Sequence, residues 1–183
     1  MNTSRTSLTI TDITHISLSA AFMAICSWIA LPAAVPFTLQ TFAVFLICGL
    51  LGGRRGTLAV MLYIFLGAVG LPVFSGFTGG IGHLIGPTGG YIFGFIFTAL
   101  IMWLIEYMNG RSIPALCVSM IAGLLLCYAI GTEWFVFIYS RVNEPVSFGT
   151  ALGMCVLPYI IPDVCKIALA LMLVKRIRPL MPQ

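Results

Sequence analysis

The apolar residues of this chain come in long runs, and glycine, proline and arginine break them, with no polar face recurring every few residues. A helix on the surface of a soluble protein keeps one face polar; a helix that is apolar all round has to be covered on every side. Of the 183 residues, 60% are hydrophobic and 8% are charged, against roughly 25% charged in a soluble domain. So few charges cannot coat a water-exposed surface of this size, and lipid is the cover that fits. The pattern predicts an all-α integral membrane protein, organised as a single polytopic domain over residues 1–183 with a short polar segment at 1–12. That segment lacks the early apolar core and small-residue cleavage site of a signal peptide, so the first apolar run reads as a retained span.

Six spans are predicted, at 13–31, 41–51, 57–71, 91–107, 113–130 and roughly 154–174. If the N-terminus is cytoplasmic, Arg5, Arg54, Arg55, Arg111, Lys175, Arg176 and Arg178 fall inside, Arg141 falls outside and Lys166 lies within the membrane. This asymmetry follows the positive-inside rule and predicts both termini on the inner side. The outer connections, 32–40, 72–90 and 131–148, are the long ones. They are apolar and glycine-rich, which suits segments folded back over a cavity. The net charge of +4 reads as orientation and not as a nucleic-acid surface, since no basic cluster interleaves with aromatics.

Asp163 and Lys166 are the sharpest feature of the sixth span. Counting back from Lys175 at about 1.5 Å per residue puts Asp163 in the outer half of the membrane and Lys166 near its middle. Ionisable groups at that depth are costly and mark ligand or ion sites, and a spacing of three places both on one helix face. Pro158 and Pro162 just before them predict a kink or break that frees backbone carbonyls nearby. The glycine-rich segment from Phe74 to Tyr91 has no G-K-[ST] ending and no preceding strand, so it is not a phosphate cradle; it reads as a loop capping a pocket, with Ser75, Thr78 and Tyr91 as hydrogen-bonding groups. His83 reads as a loop residue. Ser17, Ala20, Ala21 and Ala24 give the first span a small-residue face suited to helix packing, internal or with a partner. The six cysteines lie inside apolar runs without a C-x-x-C pair, as buried hydrophobes do. No nucleophile–base set, paired carboxylates or zinc motif is present, so neither an enzyme nor a metal site is expected, and no cofactor.

Taken together, several stretches resemble the BioY family, the biotin-binding S-component of energy-coupling factor transporters. They are the run from Val35 to Phe42 (VPFTLQTF), Gly49 to Gly56 (GLLGGRRG), Gly86 to Tyr91 (GPTGGY), Gly131-Thr132 with Trp134-Phe135, and Val156-Leu157-Pro158-Tyr159 leading to Pro162-Asp163 and Lys166. The resemblance implies a six-helix fold with biotin bound near the external side. It implies as partners one transmembrane coupling protein and two ATP-binding cassette ATPases, in a prokaryotic cell membrane. On it, Asp163 is expected to meet the ureido edge of biotin, with Lys166 binding the ligand or holding the carboxylate ionised. Gln40, Thr78, Ser75 and Tyr91 would complete the polar shell, and Phe74, Phe77 and Trp134 would form aromatic walls. It also shifts Ala20 and Ala24 towards docking the coupling protein. Two departures stand out: Ile161-Pro162-Asp163 replaces the Pro-Gly-Asp of many members, and Ile92 follows Tyr91, where a relative's polar contact would be lost. The alternatives are an S-component for another solute, a membrane enzyme using Asp163 and Lys166, or a passive channel.

Overall fold

The computed structural model describes residues 8–31, 35–142 and 144–181, with the Val142 side chain excepted; Arg5 and Pro32 lie outside the described residues. Helix α1 (Ile10–Trp28) opens on a capping box. The Thr9 hydroxyl accepts from the Asp12 amide at 3.2 Å and the Asp12 carboxylate accepts from the Thr9 amide at 3.0 Å, satisfying two otherwise orphaned donors. A two-residue antiparallel ladder, β1 (Ala30–Leu31) with β2 (Phe37–Thr38), then leads into α2 (Gln40–Leu51). Gly52, at φ +85°, turns the chain directly into α3 (Gly53–Ala68), so Arg54 and Arg55 sit in the first turn of a helix and not in the loop that the glycines suggest. The segment after α3 carries a short 3-10 turn, Ser75–Phe77, and the four-residue helix α4 (Ile81–Leu84). Helices α5 (Gly89–Asn109) and α6 (Ile113–Val142) follow, then α7 (Phe148–Cys155), a 3-10 turn at Leu157–Tyr159, and α8 (Ile160–Ile177).

The sequence and the structure also part company at the fifth span. The pattern ends it at 130, before Gly131-Thr132, whereas α6 runs through 30 residues. Gly131 sits inside the helix because the space its Cβ would take, 2.2 Å from the ring, belongs to Tyr91 of α5. In the sixth span the expected kink or break is a break, at Val156 (φ −125°, ψ −54°), between α7 and α8. Pro158 falls in the intervening 3-10 turn. Pro162 falls in the first turn of α8, where its missing N–H has no intrahelical partner to lose.

Among the described residues, four stretches can cross a membrane by length and composition: Ile10–Trp28, Gly89–Asn109, Ile113–Arg141 and Phe148–Leu180. Helices α2 and α3, of 12 and 16 residues, reach about 18 and 24 Å at 1.5 Å per residue. α2 compensates by being buried nearly all round, among α1, α3, α5, α6 and α8. The α5–α6 pair is the most extensive contact and is built on small residues. Gly94 of α5 meets Cys127 of α6, and Gly123 of α6 meets Thr98 of α5, whose hydroxyl lies 2.9 Å from the Gly123 carbonyl. Without a hydrophobic force between helices in lipid, such close backbone approach is what holds them together.

At the arginine-rich end, polar groups finish the helices. The Glu106 carboxylate accepts from the Gly53 amide at 2.6 Å, capping α3, and pairs with Arg111 at 3.1 Å. Arg111 donates to the Leu50 and Gly49 carbonyls at the end of α2, and Arg178 donates to the Arg111 carbonyl. Cations at a helix C-terminus and an anion at an N-terminus both complement the backbone dipoles. The tightest glycine here is Gly53, whose Cβ would fall 2.3 Å from the Trp103 Cα. Gly53→Ala is expected to cost about 1–3 kcal/mol by overpacking, seen as a lower melting temperature in detergent, while Gly82→Ala, with nothing within 4 Å, leaves it unchanged.

Candidate functional site

Asp163 lies in the first turn of α8, where the free amides of the helix favour an anion. Lys166, one turn on, brings its ammonium to 2.7 Å from Asp163 Oδ1. The two residues are 4% and 6% exposed, so both charges are removed from solvent and depend on their neighbours. The neighbours are complete. Lys166 Nζ donates to the Thr38 carbonyl at 2.8 Å and lies 3.1 Å from Thr41 Oγ1, and it sits 4.0 Å above the Phe37 ring centroid. Asp163 also accepts from Thr41 at 3.3 Å and from the Tyr128 hydroxyl of α6 at 2.5 Å. All three ammonium donors are used, and three donors converge on the carboxylate. A buried pair of this kind is tolerated because its remaining valences are met.

The pair forms part of the wall of a cavity of about 640 Å³, mouth included. Phe37, Ile92, Phe95 and Tyr159 supply apolar lining. The Phe37 and Tyr159 rings lie parallel within 7°, centroids 6.0 Å apart, and the Tyr159 hydroxyl donates to the Val35 carbonyl at 2.6 Å. Gln40, at the start of α2, is held by two neighbours: its Oε1 accepts from Thr38 Oγ1 at 2.9 Å and its Nε2 donates to the Tyr63 hydroxyl at 2.5 Å. Tyr91 is placed by α5 against Thr132 of α6, oxygen to oxygen 3.1 Å. Ser75, His83 and Thr88 join from the segment between α3 and α5. Such a lining, apolar with a few fixed polar groups, suits a small amphipathic molecule.

Of the residues singled out from sequence, Asp163, Lys166, Gln40, Tyr91 and Ser75 meet at this cavity. Four others stand elsewhere. Phe74 is fully buried and packs edge-on against Tyr63. Phe77 is exposed and stacks on Trp28 at 4.9 Å. Thr78 turns its hydroxyl to the Ser75 carbonyl and to His83. Trp134 donates to the Gly86 carbonyl at 2.9 Å and so pins the glycine-rich segment, with no place in the lining. Ala20 and Ala24 are also corrected: at 1% and 5% exposed they face the chain's own core, and the outward side of α1 carries Ser17, Leu18, Ala21 and Ile25. The residues missed are Tyr128, Tyr159, Thr38, Thr41, Phe37, Thr88 and His83. Tyr128 carried a usable signal, a hydroxyl in the middle of an apolar run that must find a partner.

The pair and its ring of donors can bind a neutral group with both donor and acceptor faces; among the described residues no cluster fit to hold a metal ion occurs. The model of the BioY family matches residues 1–183. The biotin transporter BioY of Thermotoga maritima is 39% identical over 161 residues, 87% of this chain and 91% of that protein. The probable biotin transporter BioY of Pyrococcus horikoshii is 40% identical over 168 residues, covering 90% and 96%. Among solved structures, the 2.1 Å crystal structure of the S-component for biotin from an ECF-type ABC transporter superposes with a TM-score of 0.82 at 25% identity, covering 98% of this chain and 95% of that one.

Removing Lys166 alone leaves the Asp163 carboxylate buried with hydroxyl partners only. Lys166→Met is expected to cost about 3–5 kcal/mol, measured as thermal stability in detergent. The double variant Asp163→Asn/Lys166→Met recovers most of that loss yet does not regain ligand binding.

Proposed function

We propose, since the chain belongs to the BioY family, that it captures biotin and imports it as the substrate-specific S-component of an energy-coupling factor transporter. It is a transporter subunit and not an enzyme. The observation that carries this reading is the buried Asp163–Lys166 pair on the wall of a cavity with a mixed apolar and hydroxyl lining. Biotin presents a neutral ureido group with two N–H donors and one carbonyl acceptor, on a fused apolar ring system. Asp163 is the acceptor for a ureido N–H. Lys166 pairs with the carboxylate, and Thr41 and Tyr128 fix its orientation. The apolar rings lie against Phe37, Phe95 and Tyr159, and Gln40 and Tyr91 supply further hydrogen bonds at fixed positions.

The chain is placed in the cell membrane of a prokaryote with six spans, α2 and α3 included, and with the arginine-rich end inside, following the positive-inside rule. No G-K-[ST] phosphate loop occurs in the sequence, so ATP is hydrolysed by partners: two ATPases acting through a transmembrane coupling protein. The outward small residues Ser17 and Ala21 are the close-approach face for that coupling protein, in place of Ala20 and Ala24.

Two measurements test this. Protein purified in mild detergent is expected to retain biotin, identified by mass spectrometry; another solute in its place would reject biotin as the ligand. Ala21→Leu is expected to leave biotin binding intact and to lower ATP-dependent uptake at least about tenfold in cells that supply the partners, the equivalent of roughly 1.4 kcal/mol of docking energy.

A further inference from the structure

The Asp163–Lys166 pair leaves one feature of a monocarboxylate ligand unanswered. Every ammonium donor of Lys166 already has an acceptor, in Thr38, Thr41 and Asp163. A ligand carboxylate brought there would meet a neutral unit whose anionic half stands beside it. Among the described residues lining the cavity, only one other side chain can carry a positive charge, and that is His83.

Its proton is placed by its neighbours. Thr78 Oγ1 lies 2.9 Å from the Ser75 carbonyl and 3.1 Å from His83 Nδ1. A threonine hydroxyl has one hydrogen and a carbonyl can only accept. The hydroxyl therefore donates to Ser75, and Nδ1–H donates to the hydroxyl. The neutral ring keeps its lone pair on Nε2, which makes no hydrogen bond among the described residues and gains an N–H when the ring is protonated. The ring is also held in place: it stacks on Phe74 at 5.2 Å and 18°. Phe74 itself fills the space at Gly67, where an added Cβ would lie 2.0 Å from its ring.

We propose that His83 is the anion-recognising residue of the cavity, its protonated Nε2 donating to the ligand carboxylate, so that binding takes up a proton. The proposal rests on biotin, a monocarboxylate, being the ligand; the hydroxyls of Ser75 and Thr88 line the same cavity and provide additional donors. Burial holds the His83 imidazole below its ordinary value, and an adjacent carboxylate would raise it.

Other titratable groups face the same space. On the elements packed against α4, α3 contributes Tyr63 and α5 contributes Tyr91. Across the cavity stand Cys127 and Tyr128 on α6, Cys155 on α7, Tyr159, and the Asp163–Lys166 pair. A ligand carboxyl, ordinarily at about 4.3, stays ionised over the interval tested, and the comparison with His83→Gln separates this imidazole from those groups. Binding raises the His83 pKa. The gain in affinity is therefore complete below the empty-site pKa and is lost above the bound-state pKa, with a limiting slope of about tenfold per pH unit between them.

The test compares biotin with its neutral primary amide, on full-length protein in detergent freed of ligand, by titration calorimetry from about pH 8 to 5.5. The expected result is a biotin dissociation constant that falls at least ~fivefold over that interval, with proton uptake visible as a dependence of the binding heat on the buffer. The amide is expected to show a flat profile, and His83→Gln, which donates without titrating, a flat profile for both ligands. A flat wild-type profile for biotin, or a slope that survives in His83→Gln, would overturn the role of His83 while leaving biotin as the ligand. Failure of both biotin and the amide to bind at any pH would instead remove the biotin reading and this proposal with it.

Discussion

A lysine ammonium and an aspartate carboxylate 2.7 Å apart, both shut away from water, need more than each other. Their mutual attraction offsets the desolvation of two charges only when every remaining donor and acceptor is matched. Here the matches come from three different parts of the chain: Thr38 of β2 with Thr41 in the first turn of α2, Tyr128 in the middle of α6, and the first turn of α8. The ion pair therefore acts as a knot that ties these elements to one another. Moving any one of them by an ångström would leave a charge or a hydroxyl unsatisfied in a medium that cannot supply water.

The rest of the architecture keeps those three elements where the knot requires them. The α5–α6 interface is set by glycine against cysteine and glycine against threonine, contacts that leave no slack for sliding. α2 is too short to define its own depth, and the helices that bury it define it instead. The break at Val156 lets α8 begin with an acidic residue beside its own free amides; an unbroken helix would have carried that carboxylate into an interior turn.

Much of this was visible in the sequence, and the failures have physical causes. Long apolar runs and basic punctuation point to a helical membrane protein, and two charges at a spacing of three point to the pair that stands on the wall of the cavity. The end of α6 was not legible, because a glycine that accommodates a neighbouring ring and a glycine that ends a helix look alike until the neighbour is known. The same ambiguity misplaced the aromatic walls. Phe74, Phe77 and Trp134 are near the cavity in sequence, but Phe74 packs on Tyr63 at the base of the segment between α3 and α5, Phe77 covers Trp28 and Trp134 holds Gly86. The lining rings, Phe37 and Tyr159, come from segments more than a hundred positions apart, a pairing no local pattern encodes. The spacing of Ala20 and Ala24 signals helix packing and leaves internal and partner contacts open; the resemblance turns them towards a partner, whereas both are buried in the chain's own core.

Tyr63 joins two parts of the molecule that look separate. Its hydroxyl accepts from Gln40 at the cavity wall and donates to the Val73 carbonyl, where the segment between α3 and α5 begins; Ser27 donates to that same carbonyl, and Trp28 to the carbonyl of Pro72. The root of that segment and the wall of the cavity are thus one hydrogen-bonded unit. Displacing the root costs Gln40 its fixed orientation, so a substitution that loosens one end of the unit would loosen the other with it.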